Sequence, residues 1–394
     1  MSRRQPAHAP PRRSRRPAPP VSGPFAGAAL LLGAALVGGA PRRAAAQGAV
    51  LVQGVADAEL WKTDSGSALL TRNHGRPGVV GRLQLWGAAE LGQRVVVYAA
   101  GYVEGGKARH EEGTEWYTDL AGVRYTHSDA LVVDAGKMLH PVGTFGPRRY
   151  STRNPLIGAP HGYPVQYPLG VQLSGTRGRV DYRAAVVSLP MHQEGYTPEP
   201  GARARPAVGA GFTPTTGVRV GASATWGPYL NRELPAGLLA GRPWRAFTQR
   251  VGALDAQVSR GYLELRGEVA AARYEVPGDA PNLETAVHGL AYYAEAKYTL
   301  APRLFVAGRV ERNDYAYILP ASDSAWVATS TNVYNGELGA GYRLSPRTLL
   351  KASVRADRWD VPPALRGVLR DGAAFALQIS RAFDVVDATV GARD

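Results

Sequence analysis

Three arginines, Arg148, Arg149 and Arg153, stand in a connection from His140 to Pro168 that contains no Asp or Glu. Guanidinium groups without acids nearby in sequence can hold or steer anions, because they stay charged and present fixed donors. The stretch also carries Pro141, Pro147, Pro155, Pro160 and Pro164 together with Phe145, Tyr150, Tyr163 and Tyr167. Stiff backbone and aromatic bulk suit an ordered, folded-in segment. Connections this long are uncommon unless they function or are disordered.

What must position this segment is a set of strands. From residue 78 to 383 the chain repeats one pattern: two alternating strands joined by a tight turn, then a long polar connection. In the clearest pair, Leu350, Ala352, Val354 and Ala356 alternate with Lys351, Ser353, Arg355 and Asp357. A strand of this kind separates an apolar medium from water. Sixteen such strands are expected, the weakest at 50–62 and 207–213, with 14 or 18 as alternatives. Others run over 303–312, 333–343 and 372–383. Strict alternation of short and long connections predicts an all-β fold, a transmembrane antiparallel up-and-down barrel with both ends on the short-turn, periplasmic side. Tyr334 and Tyr342 share the apolar face of one strand, spaced as two interfacial aromatic girdles would be. A soluble sandwich would also alternate, but a packed core needs more volume than these Gly- and Ala-rich apolar faces supply.

Residues 1–46 have the form of a secretory signal peptide. Arg3, Arg4, Arg12, Arg13, Arg15 and Arg16 precede an apolar run from Phe25 to Val37, and Ala44-Ala45-Ala46 offers small residues for cleavage before Gln47. The run is too short to span a bilayer as a helix. Removing the eight arginines of residues 1–46, which contain no acid, lowers the net charge from +14 to +6. That excess is too modest to argue for nucleic acid. The chain has no cysteine, so no disulfide framework is expected. The barrel is expected over 47–383, with 140–168 as its inward constriction loop and 384–394 as a C-terminal tail: either the insertion machinery reads an internal signal, or the tail adds to the last strand.

In the inward phase, Arg82, Arg266, Lys297, Arg309, Arg343, Lys351 and Arg355 face Glu264, Glu268, Glu295, Glu311, Glu337 and Asp357. The wall is nearly balanced, which leaves the loop arginines to set a positive field at the narrowest point. Binding lipopolysaccharide phosphates, or pairing with acids on other loops, are the alternatives for those arginines. Catalysis finds little support: no H-E-x-x-H motif exists, and His110 beside Glu111 and Glu112 is the one arrangement that hints at a hydrolase. No metal or cofactor is expected, and no enzyme. An adhesive or structural barrel remains open, since long loops also bind partners.

Asp134-Ala135-Gly136-Lys137-Met138-Leu139-His140-Pro141-Val142-Gly143 resembles a segment of porins of the phosphate-selective O/P type. Asn154-Pro155-Leu156-Ile157 and Gly170-Val171-Gln172-Leu173-Ser174-Gly175 follow as in those proteins. The stretch from Asp371 to Asp384 is similar to their closing strand. The resemblance implies an outer-membrane pore of a Gram-negative cell, trimeric, passing small hydrophilic solutes or ions. The lysine ladder of the phosphate-selective members does not carry over: after residue 46 the lysines are Lys62, Lys107, Lys137, Lys297 and Lys351.

Overall fold

The computed structural model describes residues 48–65, 70, 73–107, 114–160, 167–188, 204–230, 241–275, 286–322, 325–360 and 370–390. The expected signal peptide and the His110-Glu111-Glu112 cluster lie outside these residues. Sixteen strands are present, as expected from the sequence. They are β1 (Gly48–Thr63), β2 (Gly78–Glu90), β3 (Val95–Gly105), β4 (Thr114–Ser128), β5 (Leu131–Lys137), β6 (Leu169–Arg177), β7 (Val180–Val187) and β8 (Arg205–Thr215). The second half comprises β9 (Val218–Pro228), β10 (Thr248–Arg260), β11 (Leu263–Glu275), β12 (Ala286–Ala301), β13 (Leu304–Ser322), β14 (Ala325–Ser345), β15 (Thr348–Asp360) and β16 (Gly372–Val390). Each strand pairs with its chain neighbours, and β1 pairs antiparallel with β16, so the sheet closes on itself. Closure satisfies every sheet edge, the requirement for crossing hydrocarbon with strands.

The alternation in the sequence becomes the two faces of the wall. On β14, Leu338 is 66% exposed while its neighbour Glu337 is 3% exposed. On β13 the pair Val310 and Arg309 divides in the same way. Large apolar residues therefore cover the outside, and the charged set fills the inside. Tyr334 and Tyr342 both face outward with Leu338 between them, as the aromatic spacing predicts. The tight turns need backbone that a side chain resists. Gly217 has φ 82°, and a Cβ there would press into the carbonyl oxygen of Ser259 in the next turn.

Two boundaries depart from expectation. The segment between 312 and 333, expected as a long loop, instead continues β13 and β14 as a paired ribbon out to Ser322 opposite Ala325. Tyr315, Tyr317, Ile318, Trp326, Val327, Thr329 and Thr331 are strand-favouring residues, and pairing satisfies backbone that a loop would leave to water. The last strand passes Phe383 and runs to Val390, pairing with the start of β1 after a register shift between Val52 and Gln53. Residues 384–390 of the expected tail are thus part of the strand. Arg347 and Asp384 form an ion pair across β15 and β16 at 2.5 Å.

Part of the lumen is apolar. Val142, Phe145, Tyr229, Leu230 and Phe247, all in connections, pack onto inward alanines and valines of β7, β8, β10, β11 and β12, among them Val187, Ala207, Val251 and Ala270. Tyr229 stands edge-on to Tyr274 with centroids 5.3 Å apart and donates to the carbonyl of Glu275 at 2.9 Å. One side of the barrel is thus filled by its own connections.

Candidate pore constriction

The connection between β5 and β6 enters the barrel and is tied to the wall around its circumference. Its first bend meets β9 and β11: the amide of Gly143 donates to Ser223 Oγ at 3.1 Å, and that of Thr144 donates to Glu268 Oε1 at 2.9 Å. Arg183 of β7 donates to the Gly143 carbonyl at 3.0 Å. Phe145 stands edge-on to Tyr293 of β12, centroids 5.8 Å apart, a favoured aromatic geometry. A short 3-10 turn over Gly146–Arg148 follows, with Pro147 supplying the fixed φ.

The second bend is held by one ammonium. Lys351 on β15 is fully buried and donates to the carbonyls of Ser151, Asn154 and Leu156 at 2.9, 3.0 and 2.9 Å. Three carbonyls converging on three donors satisfy a buried charge that would otherwise be costly. Ser151 Oγ donates to Asp57 on β1 at 2.6 Å. Beyond it, Glu337 Oε1 accepts from the amides of Ile157 and Gly158 at 3.2 Å each. Arg309 and Arg355 donate to the carbonyls of Gly158 and Ala159 at 2.8 and 3.1 Å.

The wall beneath these contacts is a row of alternating sign. Sheet register sets Arg266 opposite Glu295, Glu295 opposite Arg309, Arg309 opposite Glu337 and Glu337 opposite Arg355. Ion pairs run along it: Arg309 to Glu295 at 3.4 Å, Arg309 to Glu337 at 2.7 Å and Arg355 to Glu337 at 3.5 Å, with Arg355 also on Glu311. Opposite charges directly across adjacent strands attract where a low dielectric leaves them unscreened. Nearer the short turns, Lys297 and Arg266 share Glu264 at 2.7 and 3.4 Å. Arg82 sits apart on β2, paired with Glu104, with Glu59 at 3.3 Å and with Asp57 at 3.9 Å.

The three loop arginines divide in role. Arg148 is taken by Glu295 of the wall. Arg149 reaches Asp119 of β4 at 3.5 Å and lies over the rings of Tyr102 and Tyr167, 4.9 and 5.2 Å from their centroids. Burial works against the Arg149 charge, but Tyr167, Asp119 and Tyr102 outweigh it and hold the guanidinium above its ordinary range. The same burial pushes the Tyr167 phenol well up. Arg153 makes no ion pair among the described residues and faces open space. It lines a cavity of about 1010 Å³ on the short-turn side of the loop and a smaller one of about 60 Å³ shared with Arg148, Arg266, Lys297 and Arg343.

The structure brings the loop, the alternating wall and Lys351 together, and two of the three arginines are compensated by acids on the wall. Asp57, Asp119, Glu59 and Ser223, which complete the contacts, were not legible as partners. Their only signal is an inward polar position in a strand.

No protein-family model matches the sequence, and neither does any curated protein. Solved structures do match in fold. The anion-selective porin from Comamonas acidovorans aligns with a TM-score of 0.54 at 13% identity, covering 86% of this chain and 100% of its own. The outer membrane protein OmpT of Vibrio cholerae in its trimer form aligns with 0.55 at 11% identity over 86% and 100%. OmpF of Salmonella typhi in complex with daunomycin aligns with 0.57 at 11% identity over 85% and 97%. The fold is that of the outer-membrane porins. In this porin fold the inward connection is the third on the long-loop side, after those between β1 and β2 and between β3 and β4.

Proposed function

We propose that the protein is an outer-membrane porin: a water-filled channel through which small hydrophilic solutes and ions diffuse passively. The observation that carries this reading is the stretch from His140 to Pro160, folded into a closed sixteen-strand wall and bonded to it on many sides while a cavity of about 1010 Å³ lies against it. A barrel built only for adhesion has no need to hold a connection inside its lumen at this density of polar contacts. The polar interior favours water and ions, and the apolar exterior favours lipid.

A preference for anions is the finer reading. It rests on Arg153, Arg183 and Arg343, which make no ion pair among the described residues, and on Arg266 and Lys297 sharing one carboxylate. Kinship with porins of the phosphate-selective O/P type rests on the segments around Gly136 and Gln378. Export through residues 1–46, seating among lipopolysaccharide, and assembly as a homotrimer belong to the same proposal. The test is conductance of the refolded protein in a planar bilayer, with reversal potentials in a salt gradient. Stepwise current with an anion-directed potential supports it. A barrel that inserts without conducting overturns the channel, and a cation-directed potential overturns the preference alone.

A further inference from the structure

We infer that the channel is electrically bipolar along its axis, acidic toward the long loops and basic toward the short turns, and that it therefore rectifies ionic current. The inference rests on the channel reading above. It concerns a property which that reading does not contain, since a uniformly basic pore would select anions without rectifying.

The basic half is defined by position. Arg183, Arg219, Lys297 and Arg343 lie within a few residues of the short turns at 178–179, 216–217, 302–303 and 346–347. Arg153 and Arg266 line the same spaces from the loop and from β11. Acids are present there but fewer: Glu264 serves both Lys297 and Arg266, while Asp181 and Asp255 serve Arg219. Arg124 is matched by Asp134 at 2.8 Å. Among the described residues Arg183 makes no ion pair and donates to the Gly143 carbonyl, and its Nε is buried with no hydrogen-bond partner there.

The long-loop half has the opposite balance. Among the described residues, Asp57, Glu59 and Glu104 all pair with Arg82. Glu295, Glu311 and Glu337 share Arg309 and Arg355, one row from Asp357.

Two oppositely charged segments in series act on mobile ions as a junction. Cations gather in the acidic half and anions in the basic half, over distances comparable to the Debye length of ~10 Å at 0.1 M salt. With the long-loop side positive, the field drives both enriched populations toward the constriction, and carriers accumulate there. With the opposite polarity both are drawn away, and the constriction is depleted. Conductance is therefore larger when the long-loop side is positive.

The test is the current at equal and opposite voltages, with orientation known. The chain has no native cysteine, so biotin on Gln93→Cys in a short turn, blocked by streptavidin from one chamber only, reports which end faces which electrode. We expect the current with the long-loop side positive to exceed the reverse by about twofold in 0.1 M potassium chloride, and the ratio to approach one at 1 M, where the Debye length is ~3 Å. Arg153→Gln with Arg343→Gln, two side chains without a carboxylate partner among the described residues, should bring the 0.1 M ratio toward one. Heat-modifiable gel mobility verifies that this variant is folded. A symmetric current at 0.1 M, or a larger current of opposite polarity, overturns the inference and leaves the channel standing. Absence of any current overturns the channel and the inference with it.

Discussion

The ammonium of Lys351 lies 2.9 Å from the carbonyl oxygen of Ser151, a residue 200 positions away in the chain. With the Asn154 and Leu156 carbonyls this makes one lysine the clasp of the inner loop. Replacing Lys351 by Met keeps the bulk and removes three donors, so three buried carbonyls lose their partner. We expect a loss of about 3 kcal/mol, since each orphaned buried acceptor costs on the order of 1 kcal/mol. The loop should also loosen, giving larger and noisier single-channel currents. Urea unfolding in detergent and bilayer recording measure the two effects.

Glu337 is the second fixed point, accepting from two loop amides and pairing with Arg309 and Arg355. Glu337→Gln leaves two buried guanidinium groups short of a counter-charge, and the expected cost is about 3 kcal/mol. Glu264→Gln is the control. That carboxylate is about a third exposed, and its loss should cost under about 1 kcal/mol. Equal losses in the two variants would show that the alternating row does not bind the loop.

Gly158 passes close to the wall, and a Cβ there would lie 2.5 Å from Arg355 Nη1 and 3.1 Å from Glu337 Oε2. Both of those side chains are buried and held by other partners, so neither can withdraw freely. Gly158→Ala should displace the end of the loop at a cost of about 1–3 kcal/mol. The measurable consequence is a changed conductance with the barrel still heat-modifiable on a gel.

Arg153 has no ion-pair partner among the described residues, so its replacement should act on ions and leave stability nearly unchanged. Arg153→Glu is expected to move the reversal potential in a salt gradient toward cations, and to do so less as ionic strength rises. A reversal potential that stays where it is would remove Arg153 from the ion path.

Phe145 packs edge-on against Tyr293 and is fully buried in the apolar fill of the lumen. Phe145→Ala opens a cavity there and should cost about 3–5 kcal/mol. The unfolding midpoint should fall accordingly, and the loop should become accessible to protease from the long-loop side.

How much of this could be read without coordinates follows from particular residues. Leu350 to Asp357 shows its two faces directly, because a strand exposed to lipid on one side and water on the other must alternate. The loop at 140–168 was conspicuous for its prolines and its missing acids. Its charge balance was not, because Asp119 and Glu295 reach Arg149 and Arg148 from strands far away in sequence. Ala270 and Ala272 on β11 point inward, while Ala271 between them points outward. Alanines on both faces carry no signal of direction, so the apolar fill against Tyr229 and Phe247 was invisible. The β13–β14 ribbon was missed for a related reason: polar residues between strand-favouring ones read as loop until a partner strand is at hand.

By itself, the sequence determined the period of the strands, their alternation of short and long connections and the closed architecture, because these depend on side-chain alternation and turn chemistry. Only the tertiary structure decided which charges cancel and which are left over. Pairing depends on register between strands and on where the loop crosses the lumen. Over a few ångströms of low-dielectric space, that geometry separates a neutral row from a guanidinium that faces open water.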